Sequence, residues 1–126
     1  MSCCVSWRER VQAVGAEPDP PWFIRGSYYS AYVEEVKRLR RAGQEADAEQ
    51  LLLEMIDATE SESRAYQWGV IPLYYQQLAV SYRKRGDTQS EIAVLERFAR
   101  QRHAGGVMPP QLLRRLATVK GVAQRG

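Results

Sequence analysis

Two apolar ladders joined by a Gly-Asp break leave this chain little choice of architecture. Tyr75, Leu78, Ala79 and Tyr82 recur at helical spacing as large, large, small and large residues. Gly86-Asp87 interrupts them, and Ile92, Val94, Leu95 and Phe98 then form a second ladder. Residues three and four apart share one helix face, so each ladder is a single stripe to be buried. A short glycine-led break folds the second stripe back on the first, which makes a helical hairpin. Tyr75, Leu78, Tyr82, Leu95 and Phe98 are therefore predicted to be core residues.

The same period extends in both directions. Ser27 is placed to cap a first helix whose stripe is Tyr29, Tyr32, Val33, Val36 and Leu39, ending at Ala42-Gly43. A second helix starts near Gln44, carries Ala48, Leu51, Leu52, Met55 and Ile56, and frays through Thr59-Glu60-Ser61-Glu62-Ser63. Residues 64–70 are ambiguous: they would add one more helical turn, in which case Trp68 needs a pocket. Pro72 fits the first position of a third helix over 72–85, where its missing N–H costs nothing. Asp87 or Thr88 caps a fourth helix running to about His103, and Pro109-Pro110 opens a short fifth with Leu112, Leu113, Leu116 and Val119.

Upstream, Pro18, Pro20 and Pro21 remove donors and fix the backbone, so residues 1–26 read as a partly extended arm. Trp22, Phe23 and Ile24 would dock that arm on the helices. No segment alternates at period two, which predicts essentially no sheet. The expected fold class is all-α: stacked antiparallel helical hairpins of about five helices over residues 27–120, with a frayed tail at 121–126.

At 126 residues the chain suffices for one domain with its own core. Its formal net charge of +3 hides an asymmetry: residues 1–82 carry 8 Lys/Arg against 12 Asp/Glu, and residues 83–126 carry 10 against 3. A basic final third favours an acidic partner or a nucleic acid. The only cysteines, Cys3 and Cys4, are adjacent and supply no disulfide framework, which suits a reducing compartment. No apolar run approaches the roughly 20 residues of a membrane span. A cytoplasmic protein without a membrane partner is the expectation.

Tyr75, Leu78, Ala79 and Tyr82 stand where the tetratricopeptide-repeat family carries its first-helix signature, and Gly86-Asp87 matches its turn. An earlier hairpin over 28–60 fits through Tyr32, Leu39, Gly43 and Ala48, although Glu35 replaces a core leucine. The chain thus resembles a divergent, lengthened pair of such repeats over about residues 28–103, with turn glycines 43 residues apart against the family's period of about 34. Glu91 and Phe98 depart from it by standing where the family has small residues. Glu91 is therefore a candidate for a buried ion pair with an arginine. The strings Thr59–Ser63, Pro72–Ala79 and Tyr82-Arg83-Lys84 also resemble an uncharacterised bacterial helical module, sometimes attached behind HIRAN-type DNA-binding domains.

The repeat resemblance implies a right-handed superhelix whose concave face is lined by the first helix of each hairpin. Carried over by position, that face holds Val33, Lys37, Arg40 and Arg41, then Gln76, Val80, Arg83 and Lys84. It implies a non-enzymatic adaptor or assembly module that binds another protein or an acidic peptide. The alternative is a nucleic-acid accessory protein using Lys37, Arg40, Arg41, Arg83, Lys84 and Arg85 on phosphates, with Tyr28, Tyr29 and Trp68 as stacking partners. The same cations also end helices, where they offset the dipole by about 0.3–1 kcal/mol each. Both explanations remain open at this level.

Two hairpins are fewer than a solenoid core usually needs, so a homodimer is a further expectation. No catalytic residues, cofactor or metal are expected. The single histidine, His103, sits at a helix end and suits capping, and Gly105-Gly106 lacks the Gly-Lys-Ser/Thr ending of a phosphate loop.

Overall fold

Pro72 opens a helix here for the reason its chemistry dictates: it occupies the first position, where no N–H is required. The computed structural model that carries this and all following geometry describes residues 20–103, 106 and 108–125. Within them the fold is all-α, with five helices: α1 (Val33–Arg41), α2 (Glu45–Tyr66), α3 (Pro72–Lys84), α4 (Thr88–Ala99) and α5 (Met108–Arg125). Each helix packs on the next, and α5 also touches α3. The tight turns at Gly43 and Gly86 take positive φ angles of 76° and 75°, which glycine adopts without strain. Asp87 caps α4, its Oδ1 accepting the Ser90 N–H at 3.1 Å. None of the five is long and apolar enough to cross a membrane.

The core is the set of stripes predicted from periodicity. Tyr75, Leu78, Leu95 and Phe98 are buried together with Leu51, Leu52, Met55, Ile56 and Val36. Tyr82 is half-buried at the edge, with the Arg85 guanidinium 4.9 Å above its ring. Each large apolar side chain so removed from water contributes about 1.5–3 kcal/mol.

Several boundaries differ from those predicted. Ser27 is not a helix cap, because Ser27–Tyr28 (β2) pairs with Phe23–Ile24 (β1) in a short antiparallel ribbon. Its two-residue turn, Arg25-Gly26, has φ of 48° and 89°, matching the twist of a hairpin. A 3₁₀ turn over Tyr29–Tyr32 then leads into α1. Trp22 and Ile24 pack against the core, as the docking expectation requires, while most of the predicted arm lies outside the described residues.

The largest difference is in α2, which continues through the polar cluster 59–63 as far as Tyr66. Thr59, Glu60, Glu62 and Ser63 are buried, and partners compensate the acids. Glu60 accepts the Tyr75 hydroxyl at 2.8 Å and the Arg97 guanidinium at 2.7 and 2.9 Å. Glu62 accepts the hydroxyls of Tyr28 and Tyr29. Thr59 Oγ1 accepts the Ile71 N–H at 3.1 Å.

At the other end of the molecule, α4 stops at Ala99, four residues before His103. The His103 ring lies 4.3 Å from that of Phe98, and its Nε2 donates to the Phe98 carbonyl at 2.7 Å. Helix α5 continues past Gly121, where fraying was expected, to Arg125.

Candidate functional site

Helices α1 and α3 carry the cations singled out from the sequence, and most of them already have partners. Lys37 Nζ pairs with Glu34 at 3.1 Å on the surface of α1. Arg40 crosses to α3, donating to the Gln77 carbonyl at 2.7 Å and to Ser81 Oγ at 2.5 Å. Its Nε is buried without a hydrogen bond, 4.0 Å from Glu45. Arg83 reaches the buried Glu91 at 3.3 Å. Val33, Gln76 and Val80 are half-buried, and Val33 packs on the core.

Arg41 and Lys84 remain exposed, with no carboxylate partner among the described residues. Lys84 lines a cleft of about 220 Å³, together with Glu45, Glu49, Ser81 and Arg85. Two carboxylates face the two cations there, so the cleft is of mixed charge. Arg85 in turn bonds Glu49 at 2.7 Å and Asp87 at 3.2 Å. Arg40 joins α1 to α3, and three of the five cations expected on that face, Lys37, Arg40 and Arg83, are bonded within the molecule.

A second group of cations was not found by sequence reasoning. Beyond Tyr66, Gln67 takes a left-handed conformation (φ 64°) and its N–H caps the Ser63 carbonyl at 2.6 Å. The segment after α2 then runs beside the segment after α4. Val70 N–H donates to the Arg102 carbonyl at 2.9 Å, and Val70 pairs with His103 in a parallel bridge. This lacing forms a polar notch of about 260 Å³ lined by Ser63, Arg64, Gln67, Arg100, Gln101 and Arg102. Arg64 donates to Ser61 Oγ at 3.1 Å and Arg102 to Gln67 Oε1 at 3.3 Å, both neutral partners. Arg64, Arg100 and Arg102 have no carboxylate in reach among the described residues. The arginines at positions 25, 38, 83, 85, 97 and 115 all pair with acids.

On either side of Gln67 in the chain stand the members of an aromatic row. Trp22 meets Tyr66 edge-on at 5.5 Å, and Tyr66 stacks on Trp68 at 4.7 Å with 25° between the planes. Tyr66 is 55% exposed and Trp68 57%. Of the three aromatics considered for stacking, Tyr29 is buried and Tyr28 half-buried against Glu62, which leaves Trp68.

The buried acids have saturated surroundings. Burial pushes the Tyr29 and Tyr75 hydroxyls well above the ordinary phenol range, and Tyr74 up to about 12. The Glu60 carboxylate, through its hydrogen bonds, raises the Arg97 guanidinium further still. Tyr29, Tyr75 and Arg97 each bond an acid of α2 and so tie a neighbouring element to it. Among the described residues no three His, Cys, Asp or Glu side chains gather as metal ligands. Compared with family models, curated proteins and solved structures, the chain matches none.

Proposed function

We propose that this chain is a non-enzymatic interaction module of tetratricopeptide-like build whose partner is anionic. The observation that carries this reading is the notch, where Arg64, Arg100 and Arg102 converge without a carboxylate beside two exposed stacked rings. Helix dipoles do not account for it. Two helix C-termini supply about one negative charge together, against three guanidinium groups. An acidic segment of a second protein fits this charge and is the partner that the repeat resemblance implies. A phosphate backbone also fits it, and the exposed ring pair favours that second reading.

Retention of the protein on immobilised polyglutamate and on immobilised oligothymidylate, at about 50 mM salt where phosphate contacts are strong, tests the proposal. Arg64→Glu, Arg100→Glu and Arg102→Glu together are expected to abolish retention. If neither polymer retains the protein, the proposal fails. Retention that survives this triple reversal but is lost in Arg41→Glu with Lys84→Glu would return the surface to the face expected from sequence.

A further inference from the structure

Resting on the anionic-partner reading, we propose that the notch and the aromatic row form a site for single-stranded nucleic acid. One base stacks on the outward face of Trp68, and an adjoining phosphate sits among Arg64, Arg100 and Arg102. Three features favour this occupant over an acidic peptide.

The first is the order of the rings. Trp22 holds the edge of Tyr66, Tyr66 lies face to face with Trp68, and Trp68 ends the row more than half exposed. The next member of such a stack is a flat ring, which every nucleotide supplies and a run of acidic side chains does not. The second is the spacing. Gln67, which lines the notch, sits between Tyr66 and Trp68 in the chain. Its Cα is about 3.8 Å from that of each ring residue. Stacking face and anion site are therefore carried by consecutive residues of the chain.

The third is the rigidity of the frame. The Gln67 N–H to Ser63, the Val70 N–H to Arg102 and the Val70–His103 bridge fix both segments before any ligand arrives. Less ordering is then lost on binding. A duplex keeps its bases stacked on one another, so it meets the arginines but not the indole face.

The test is fluorescence titration of the full chain with an oligothymidylate of about twelve nucleotides, within the span such sites cover. It is run over a series of salt concentrations beside the matching duplex and polyglutamate. Binding is expected to quench tryptophan emission and to weaken linearly in log affinity against log salt. Trp68→Ala should weaken binding roughly 5- to 150-fold, the loss of one stacked base, and Trp68→Phe should restore part of it. Arg100→Ala with Arg102→Ala should reduce the salt slope by about 0.7, the loss of the one single-strand phosphate contact. The positions are exposed, so unchanged circular dichroism is expected in every variant.

Equal affinity for duplex and single strand, or indifference to Trp68→Ala, overturns the site. Capture of polyglutamate without the oligonucleotide overturns it too, while leaving the anionic-partner reading intact. If neither ligand binds, both fall. A Trp68-dependent dimer in sedimentation, with no quenching by the oligonucleotide, assigns the rings to a second copy and overturns the site as well.

Discussion

Glu91 shows how a single residue departs from its local pattern and is compensated. It stands in the buried stripe of α4 with Val94, Leu95 and Phe98, and it is 2% exposed. Arg115 from α5 grips its carboxylate at 2.8 and 3.3 Å, and Arg83 from α3 approaches at 3.3 Å. Both arginines are partly exposed, which makes the cluster energetically lopsided. Removing the acid lets the guanidiniums turn to water, whereas removing the arginines strands a buried anion. Arg83→Ala with Arg115→Ala should therefore cost about 3–5 kcal/mol, and Glu91→Gln distinctly less, in urea denaturation. Equal losses would show that packing rather than charge governs the site.

The buried tyrosines add a pH limit. Tyr74 has its hydroxyl raised by burial to about 12, from about 10 in the unfolded chain. The folded state thus favours the protonated phenol. Its contribution is complete below pH about 10 and is lost as pH climbs towards 12. Tyr29 and Tyr75 are shifted in the same direction. Alkaline titration should show tyrosinate absorbance rising together with loss of helical circular dichroism. Tyrosinate formation by all the tyrosines near pH 10, in a chain still folded, would contradict their burial.

At the scale of elements, glycine turns set where the helices reverse. A Cβ built on Gly86 meets nothing within 4 Å, so Gly86→Ala suffers only from its φ of +75°. Left-handed backbone costs an alanine about 1–2 kcal/mol, partly offset by the stiffer unfolded chain. A net loss of about 1 kcal/mol lowers Tm by about 3–5 °C in a chain of this size, and Gly86→Asn should recover part of it. An unchanged melting temperature would mean that the turn relaxes to another shape.

Helix identity and core were legible because the stripes at Leu51–Ile56, Tyr75–Leu78 and Leu95–Phe98 satisfy local period and burial at once. Helix ends were less so. The cluster Thr59–Ser63 looks like loop from its polarity, yet Tyr28, Tyr29, Tyr75 and Arg97 meet its side chains from up to 37 residues away in sequence. Arg25-Gly26 carries too little of the usual Asn-Gly signal to announce a hairpin, and Glu54 holds Arg25 there through two hydrogen bonds at 3.1 and 2.8 Å. The notch was invisible for a related reason. Arg64 and Arg102 are brought together only by the pairing of Val70 with Arg102 and His103.

For the molecule as a whole, the unequal charge of the two parts of the chain is in large measure an internal matter. Arg85 reaches back to Glu49, and Arg97 to Asp57 and Glu60, so part of the basic final third neutralises the acidic helix before it. The cations left without an acid among the described residues are the three of the notch together with Arg41, Lys84 and Arg114. The same layout bears on self-association. A homodimer was expected because two hairpins leave their ends bare, but the Trp22–Tyr32 segment seats on α2 and α5 covers α3 and α4.

The exposed large apolar side chains among the described residues are Tyr66, Trp68 and Leu113. Two rings, each burying about 150–250 Å² when fully covered and here already near half-covered, offer about 170–280 Å². A specific dimer needs about 600 Å² or more from each partner. We therefore predict that sedimentation velocity gives the monomer mass up to high micromolar concentration. A boundary that moves towards twice that mass as concentration rises would show that a broader face than the rings is buried between copies.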